Sequence, residues 1–133
     1  MATVKGKTVN GVPAMSFWTR MPESVESVAA SQAILAWATN GWFIELAMRP
    51  HGDVVNIGDA HHSLATGVIG HTINFHGAFD AGSWIQLAHE ATWAGRGRIH
   101  GRGLAFAQDG TLVASFTQDS MVKAQGEQRT GRL

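Results

Sequence analysis

The chain contains no cysteine. That excludes a disulfide framework and any thiolate zinc site. It also lacks a charge excess, with ten Lys and Arg against ten Asp and Glu. Nucleic-acid modules usually carry a basic surplus, so no nucleic-acid partner is expected. Charge of either sign is scarce at 15%, while 16 residues are Gly. That pairing points to closely packed strands and to surface reserved for other subunits. Residues 1–12 have no apolar run of the kind a signal peptide needs. Residues 28–48 approach membrane-spanning length, but Gln32, Asn40 and Glu45 interrupt them. No membrane span is expected, and the expected compartment is the cytoplasm. The length, 133 residues, suits one domain large enough to bury a core unaided.

Periodicity supplies the architecture. Residues 25–48 form the one long apolar stretch without strand alternation. In it Val25, Val28, Ala29, Gln32, Ala33, Ala36 and Asn40 recur at spacings of three and four, which predicts a helix. Pro22, Glu23, Ser24 and Glu26 mark its start. Asn40-Gly41 is a weak point, since Gly costs about 1 kcal/mol in a helix interior. Arg49-Pro50-His51-Gly52 ends it. Strands are expected at residues 14–19, 65–76, 83–93, 97–107 and 111–122. Asp109-Gly110, between two alternating runs, is the strongest hairpin signal. Residues 51–65 read as a loop with a short strand at 54–57. Residues 1–12 and 123–133 read as flexible tails around a single domain at 13–122. The expected class is α+β, a long central helix wrapped by a curled antiparallel sheet.

Particular residues carry a family pattern in order. Gly70-His71-Thr72-Ile73-Asn74-Phe75-His76 comes first, followed by Trp84 and Glu90-Ala91-Thr92. Gly95-Arg96-Gly97, Arg102-Gly103 and Asp109-Gly110-Thr111-Leu112-Val113-Ala114-Ser115-Phe116-Thr117-Gln118-Asp119 complete it. Residues 15–122 thereby resemble the C-terminal half of the TesB-like acyl-CoA thioesterases. The resemblance implies a hotdog fold, hydrolysis of an acyl-CoA or related acyl thioester without a covalent intermediate, and no cofactor. Members of that family carry two hotdog units per chain. A single unit implies a homodimer or higher homo-oligomer.

The family holds one water with an Asp, a Ser or Thr, and a Gln. Such a set suits the chemistry: a thioester carbonyl is already electrophilic, so positioning a water and stabilising the oxyanion suffice. By resemblance, Gln118 and Thr92 are the candidate catalytic residues. Each also has a plain structural reading, as a half-buried amide and as an ordinary β-branched strand residue. The third position departs from the family, because Gly70 stands where the Asp belongs. His71 is basic enough near neutrality, yet as a strand neighbour of Gly70 it points to the opposite face. Asp59, Glu45 and Asn74 are the other candidates to replace the carboxylate.

Register adds a condition. A two-residue turn at Asp109-Gly110 sets Gln118 opposite Gly101, and one at Ala94-Gly95 sets Thr92 opposite Gly97. Gly97 and Gly101 lie about 13 Å apart along a strand. Sharing a water therefore demands a shifted register, expected as a bulge within residues 95–103. Arg96, Arg98 and Arg102 are open to two readings, CoA phosphate contacts or a solvated strand face. His61 and His62 lack a third placed ligand, so no metal is expected. Leu35, Trp37, Trp42 and Phe43 are candidates for an acyl groove or for core. Two functions stay open: a thioesterase, or a non-catalytic acyl-thioester or CoA-binding hotdog that needs a partner chain.

Overall fold

The computed structural model describes residues 5–9, 12–49 and 64–124. They form strands β1 (Lys5–Val9), β2 (Val12–Thr19), β3 (Leu64–Phe75), β4 (Ile85–Gly95), β5 (Arg98–Ala107) and β6 (Leu112–Ala124), with helices α1 (Val28–Ala38) and α2 (Trp42–Met48). The strands make one antiparallel sheet in the order β1-β2-β4-β5-β6-β3, with β1 and β3 at its edges among the described residues. Residues 5–9, read from sequence as part of a flexible tail, pair with β2 from Lys5↔Ser16 to Val9↔Val12. The segment, Lys-Gly-Lys-Thr-Val, carries no apolar alternation to announce a strand. The expected strand at 54–57 and the tail beyond residue 124 lie outside the described residues.

The helix begins later than the sequence suggested. Ser27 is the N-cap, its Oγ accepting from Ala30 N at 3.2 Å. The earlier candidate, Ser24, is engaged elsewhere. Its Oγ donates to Asp80 Oδ2 at 2.5 Å, and the Val25 and Gly82 amides donate to Asp80 Oδ1 at 2.8 and 2.7 Å. These bonds, the Ser24 hydroxyl first, hold the Asp80 carboxyl below its usual range. The break at Asn40-Gly41 is real. Gly41 sits at φ 114° and starts α2, a conformation that side chains rarely adopt.

The packing face of α1 is a correction to the expected one. Val28, Ala29, Ala33 and Asn40 are exposed, whereas Ser31, Leu35 and Thr39 are buried. These three also follow a spacing of four, and Ser31 Oγ accepts from the Ala81 amide at 3.0 Å. Most of the helical apolar burial comes from α2, through Phe43, Leu46, Ala47 and Met48. They meet Phe17, Leu87, Ile99, Val113 and Phe116 from the sheet in one core.

Candidate functional site

Two turns and one bulge place the family-matched residues. The β5–β6 connection is a three-residue loop, Gln108 to Gly110, closed by Gly110 N to Ala107 O at 3.0 Å and by Ala107 N to Thr111 O at 2.8 Å. Gly110 takes the positive φ such loops need, 91°. A shift between Ala105 and Phe106 restores the expected pairing, Gly101↔Gln118. The β4–β5 turn is not at Ala94-Gly95. It falls at Arg96-Gly97, both at positive φ (53° and 73°), with Gly95↔Arg98 as the closing pair.

The expected irregularity exists, but on the opposite strand. β4 pairs Ala91↔Gly101 and then Trp93↔His100, leaving Thr92 as the bulged residue. Together the moved turn and the bulge remove the four-residue offset. Thr92 stands beside the rung Ala91–Gly101–Gln118, rather than opposite Gly97. Its exposed hydroxyl donates to His100 O at 3.2 Å. Gln118 is 1% exposed, with Nε2 donating to Ser120 Oγ at 3.0 Å and Oε1 unpartnered.

β3 continues this rung on the other side. Its register with β6 shifts between Val68 and Gly70, so Gly70 pairs with Asp119 and His71 with Gln118. Directly paired residues share a face. His71 is thus on the Gln118 side, and Gly70 faces the other way beside Asp119. Sequence reasoning placed His71 correctly relative to Gly70 but had no means of pairing it with Gln118. Its Nε2 lies 3.0 Å from Thr39 Oγ1 at the end of α1. On the outer face Asp119 Oδ1 meets His100 Nδ1 at 2.7 Å, an exposed pair.

The remaining candidates are dispersed. Glu45 pairs with Arg49 at 3.8 Å. Asn74 lines an outer-face cavity of about 400 Å³ with Glu90, Arg102 and Thr117. Arg102 Nε binds Glu90 Oε2 at 2.9 Å, which fits the solvated-face reading for that arginine. Arg96 lies in the turn, and Arg98 Nη1 donates to Gly97 O at 3.2 Å. Asp59, His61 and His62 lie outside the described residues. Among the described residues, no three His, Asp or Glu side chains are grouped to hold a metal. None of the described helices is long and apolar enough to cross a membrane.

Trp37 and Trp42 line a cavity of about 490 Å³ with Phe17, Asn40, Gly41 and Leu87 at the helix break. Leu35 and Phe43 belong to the core instead, 3% and 0% exposed.

An open antiparallel sheet carrying a broken helix on one face defines a hotdog-type α+β domain. A family model described as the acyl-CoA thioesterase C-terminal domain matches residues 2–122, and the chain belongs to that family. It is 30% identical over 101 residues to acyl-CoA thioesterase 2 of Haemophilus influenzae, covering 76% of this chain and 34% of that protein. It is 25% identical over 125 residues to human acyl-coenzyme A thioesterase 8, covering 91% of this chain and 37% of that one. The chain therefore spans about a third of the length of these curated relatives. Among solved structures, acyl-CoA thioesterase II TesB2 from Mycobacterium marinum aligns at TM-score 0.73 and 22% identity, over 96% of this chain and 46% of that one. That last likeness is one of fold.

Proposed function

We propose that this chain is a hotdog subunit that hydrolyses an acyl-CoA thioester by direct attack of water, with Thr92 and Gln118 orienting that water. The reading rests on one observation: the Thr92 bulge and the Arg96-Gly97 turn remove the lengthwise offset between the two family-matched residues, so that they flank β5 at the level of Gly101. Gln118 Oε1, which has no partner, is the atom free to accept from the water, while Thr92 Oγ1 and Gln118 Nε2 donate to His100 O and Ser120 Oγ. The acyl chain occupies the cavity lined by Phe17, Trp37 and Trp42. The working unit is a homodimer. β3 supports this: it is a twelve-residue sheet edge carrying Val68 and Ile69, 42% and 56% exposed, and an edge of that kind invites a second strand. Gly70, at the position of the family carboxylate, favours a second reading in which the chain binds acyl-CoA without turnover.

Thiol release from a series of acyl-CoA lengths, followed with a thiol-reactive chromophore, separates the two. Turnover is expected, with Gln118→Ala and Thr92→Ala each lowering kcat by about 10²-fold, the usual scale for one preorganised polar group. Full activity in both variants discards the assigned roles. Calorimetric binding of acyl-CoA without thiol release establishes the second reading instead.

A further inference from the structure

We propose that His71 is the catalytic base of this chain, taking at Nδ1 the proton of a water held between that nitrogen and Gln118 Oε1. The inference rests on the thioesterase reading and concerns the proton acceptor that Gly70 leaves missing. Its warrant is a pair of orphaned atoms. His71 Nδ1 and Gln118 Oε1 are both buried without a hydrogen-bond partner. They belong to directly paired residues of β3 and β6, whose side chains share one face about 5 Å apart at Cβ. Buried polar atoms are rarely left unpaired.

The tautomer follows from Thr39. Its single hydroxyl proton goes to Ala36 O at 3.2 Å, the back-bond of a helix end. With that proton so placed, Thr39 Oγ1 accepts from His71 Nε2, 3.0 Å away, and the tautomer we assign carries its proton on Nε2 and a bare lone pair on Nδ1. Gln118 spends its amide on Ser120 Oγ, which leaves Oε1 as a second bare acceptor. Two acceptors on one face call for a donor with two hydrogens, and water is that donor. Giving one hydrogen to each, it keeps its lone pairs free for an incoming carbonyl carbon. The buried His89 offers no such place. Both its nitrogens are also unpartnered, but Phe17, Phe43 and Phe116 surround it. Among the described residues β3 is the terminal strand of the sheet, and His71 on it is half-buried rather than enclosed.

The step balances. The water gives a proton to Nδ1 as its oxygen bonds to the thioester carbon, and the carbonyl electron pair moves onto oxygen. On collapse the oxygen's pair rebuilds the carbonyl, the C–S bond breaks with its electrons leaving on sulfur, and the imidazolium gives its proton to that thiolate. The products are the free thiol and a carboxylic acid, which ionises to solvent. Among the described residues, the groups packed on His71 are Phe116 and Gln118 from β6 and Thr39 from α1, none of them titrating near neutrality. His89 of β4 lies beyond Phe116, Glu45 of α2 pairs with Arg49, and the His100–Asp119 pair is on the other sheet face.

The test is the pH profile of kcat/KM for the full chain on its best acyl-CoA. His71→Gln keeps an amide to donate to Thr39 but has no base. It is expected to lose about 10²-fold in kcat, the scale of a general base, to abolish the acid limb, and to leave KM within about twofold. Thr39→Val, a near-isosteric change, removes the hydroxyl that anchors the ring at Nε2. It is expected to lower kcat by freeing the ring to turn, and it decides the matter if His71→Gln fails to fold. Wild-type turnover in either folded variant overturns the base and spares the thioesterase reading. Absence of wild-type turnover overturns both.

Discussion

Phe43→Ala is expected to cost about 3–5 kcal/mol of folding stability, the range for truncating a buried Phe. Phe43 is 0% exposed and lies in the first turn of the short helix that supplies most of the helical core. Its ring lies within 5.1 Å of His89 and 5.9 Å of Phe116, centroid to centroid. It also fills the space where a side chain at Gly101 would stand, for a Cβ there would come within 2.7 Å of Phe43 Cγ. Gly101→Ala alone is therefore an overpacking change worth about 1–3 kcal/mol. In the Phe43→Ala background the added methyl meets vacated space and its cost should nearly vanish. A double-mutant cycle by urea denaturation reads this directly. A coupling of about 1 kcal/mol or more is expected, and simple additivity would contradict the fit. The pair matters for function, because Gly101 is the rung between Ala91 and Gln118.

Stability should also fall with acid because of His89. This residue is 1% exposed, and burial pushes its pKa down to about 4 from the ordinary 6.5. Above pH 6.5 the ring is neutral in both folded and unfolded chains, and His89 adds no pH dependence. Between 6.5 and 4 the unfolded chain binds a proton that the folded one refuses. Stability then drops by about 1.4 kcal/mol per pH unit, on the order of 3 kcal/mol in all, and levels off below. His89→Leu removes this contribution along with two buried nitrogens that find no partner. At pH 5 the variant should have gained about 2 kcal/mol on the wild type relative to pH 7. Denaturation curves at the two pH values measure the difference. Equal pH slopes in the two proteins would show that His89 is not the buried acid-sensitive group.

Strands β2 to β6 were legible because alternation and Gly-flanked turns are local signals, whereas β1 carries no apolar alternation. Gln118 opposite Gly101 was legible for a subtler reason. The three-residue loop at Asp109-Gly110 and the shift at Ala105 offset one another, giving the partner that a simpler turn predicts. The β4–β5 turn was not legible. Ala94-Gly95 and Arg96-Gly97 are both residue-Gly pairs, and Arg96 at φ 53° is a side chain that sequence gives no reason to place there. The helix spacing was read correctly but its buried face was not. Ala29 and Ala33 carry little apolar area, while Ser31 is buried for a hydrogen bond to Ala81, a partner fifty residues away. His71 beside Gln118 depends on how β3 slides along β6, a long-range alignment with no local signature.

The bulge in β4 means that the ladder between β4 and β5 does not count Thr92. Ala91 already faces Gly101 and Trp93 already faces His100. Removing this one residue leaves every remaining pair aligned and every core side chain facing inward. Removing any other residue within the paired part of β4 reverses the side-chain parity of everything on one side of the cut. A chain with Thr92 deleted is therefore expected to fold, by circular dichroism and a cooperative melt, while a chain with Ala88 deleted is not. The hydroxyl that the family pattern marks sits at the one position in this strand that the architecture can spare.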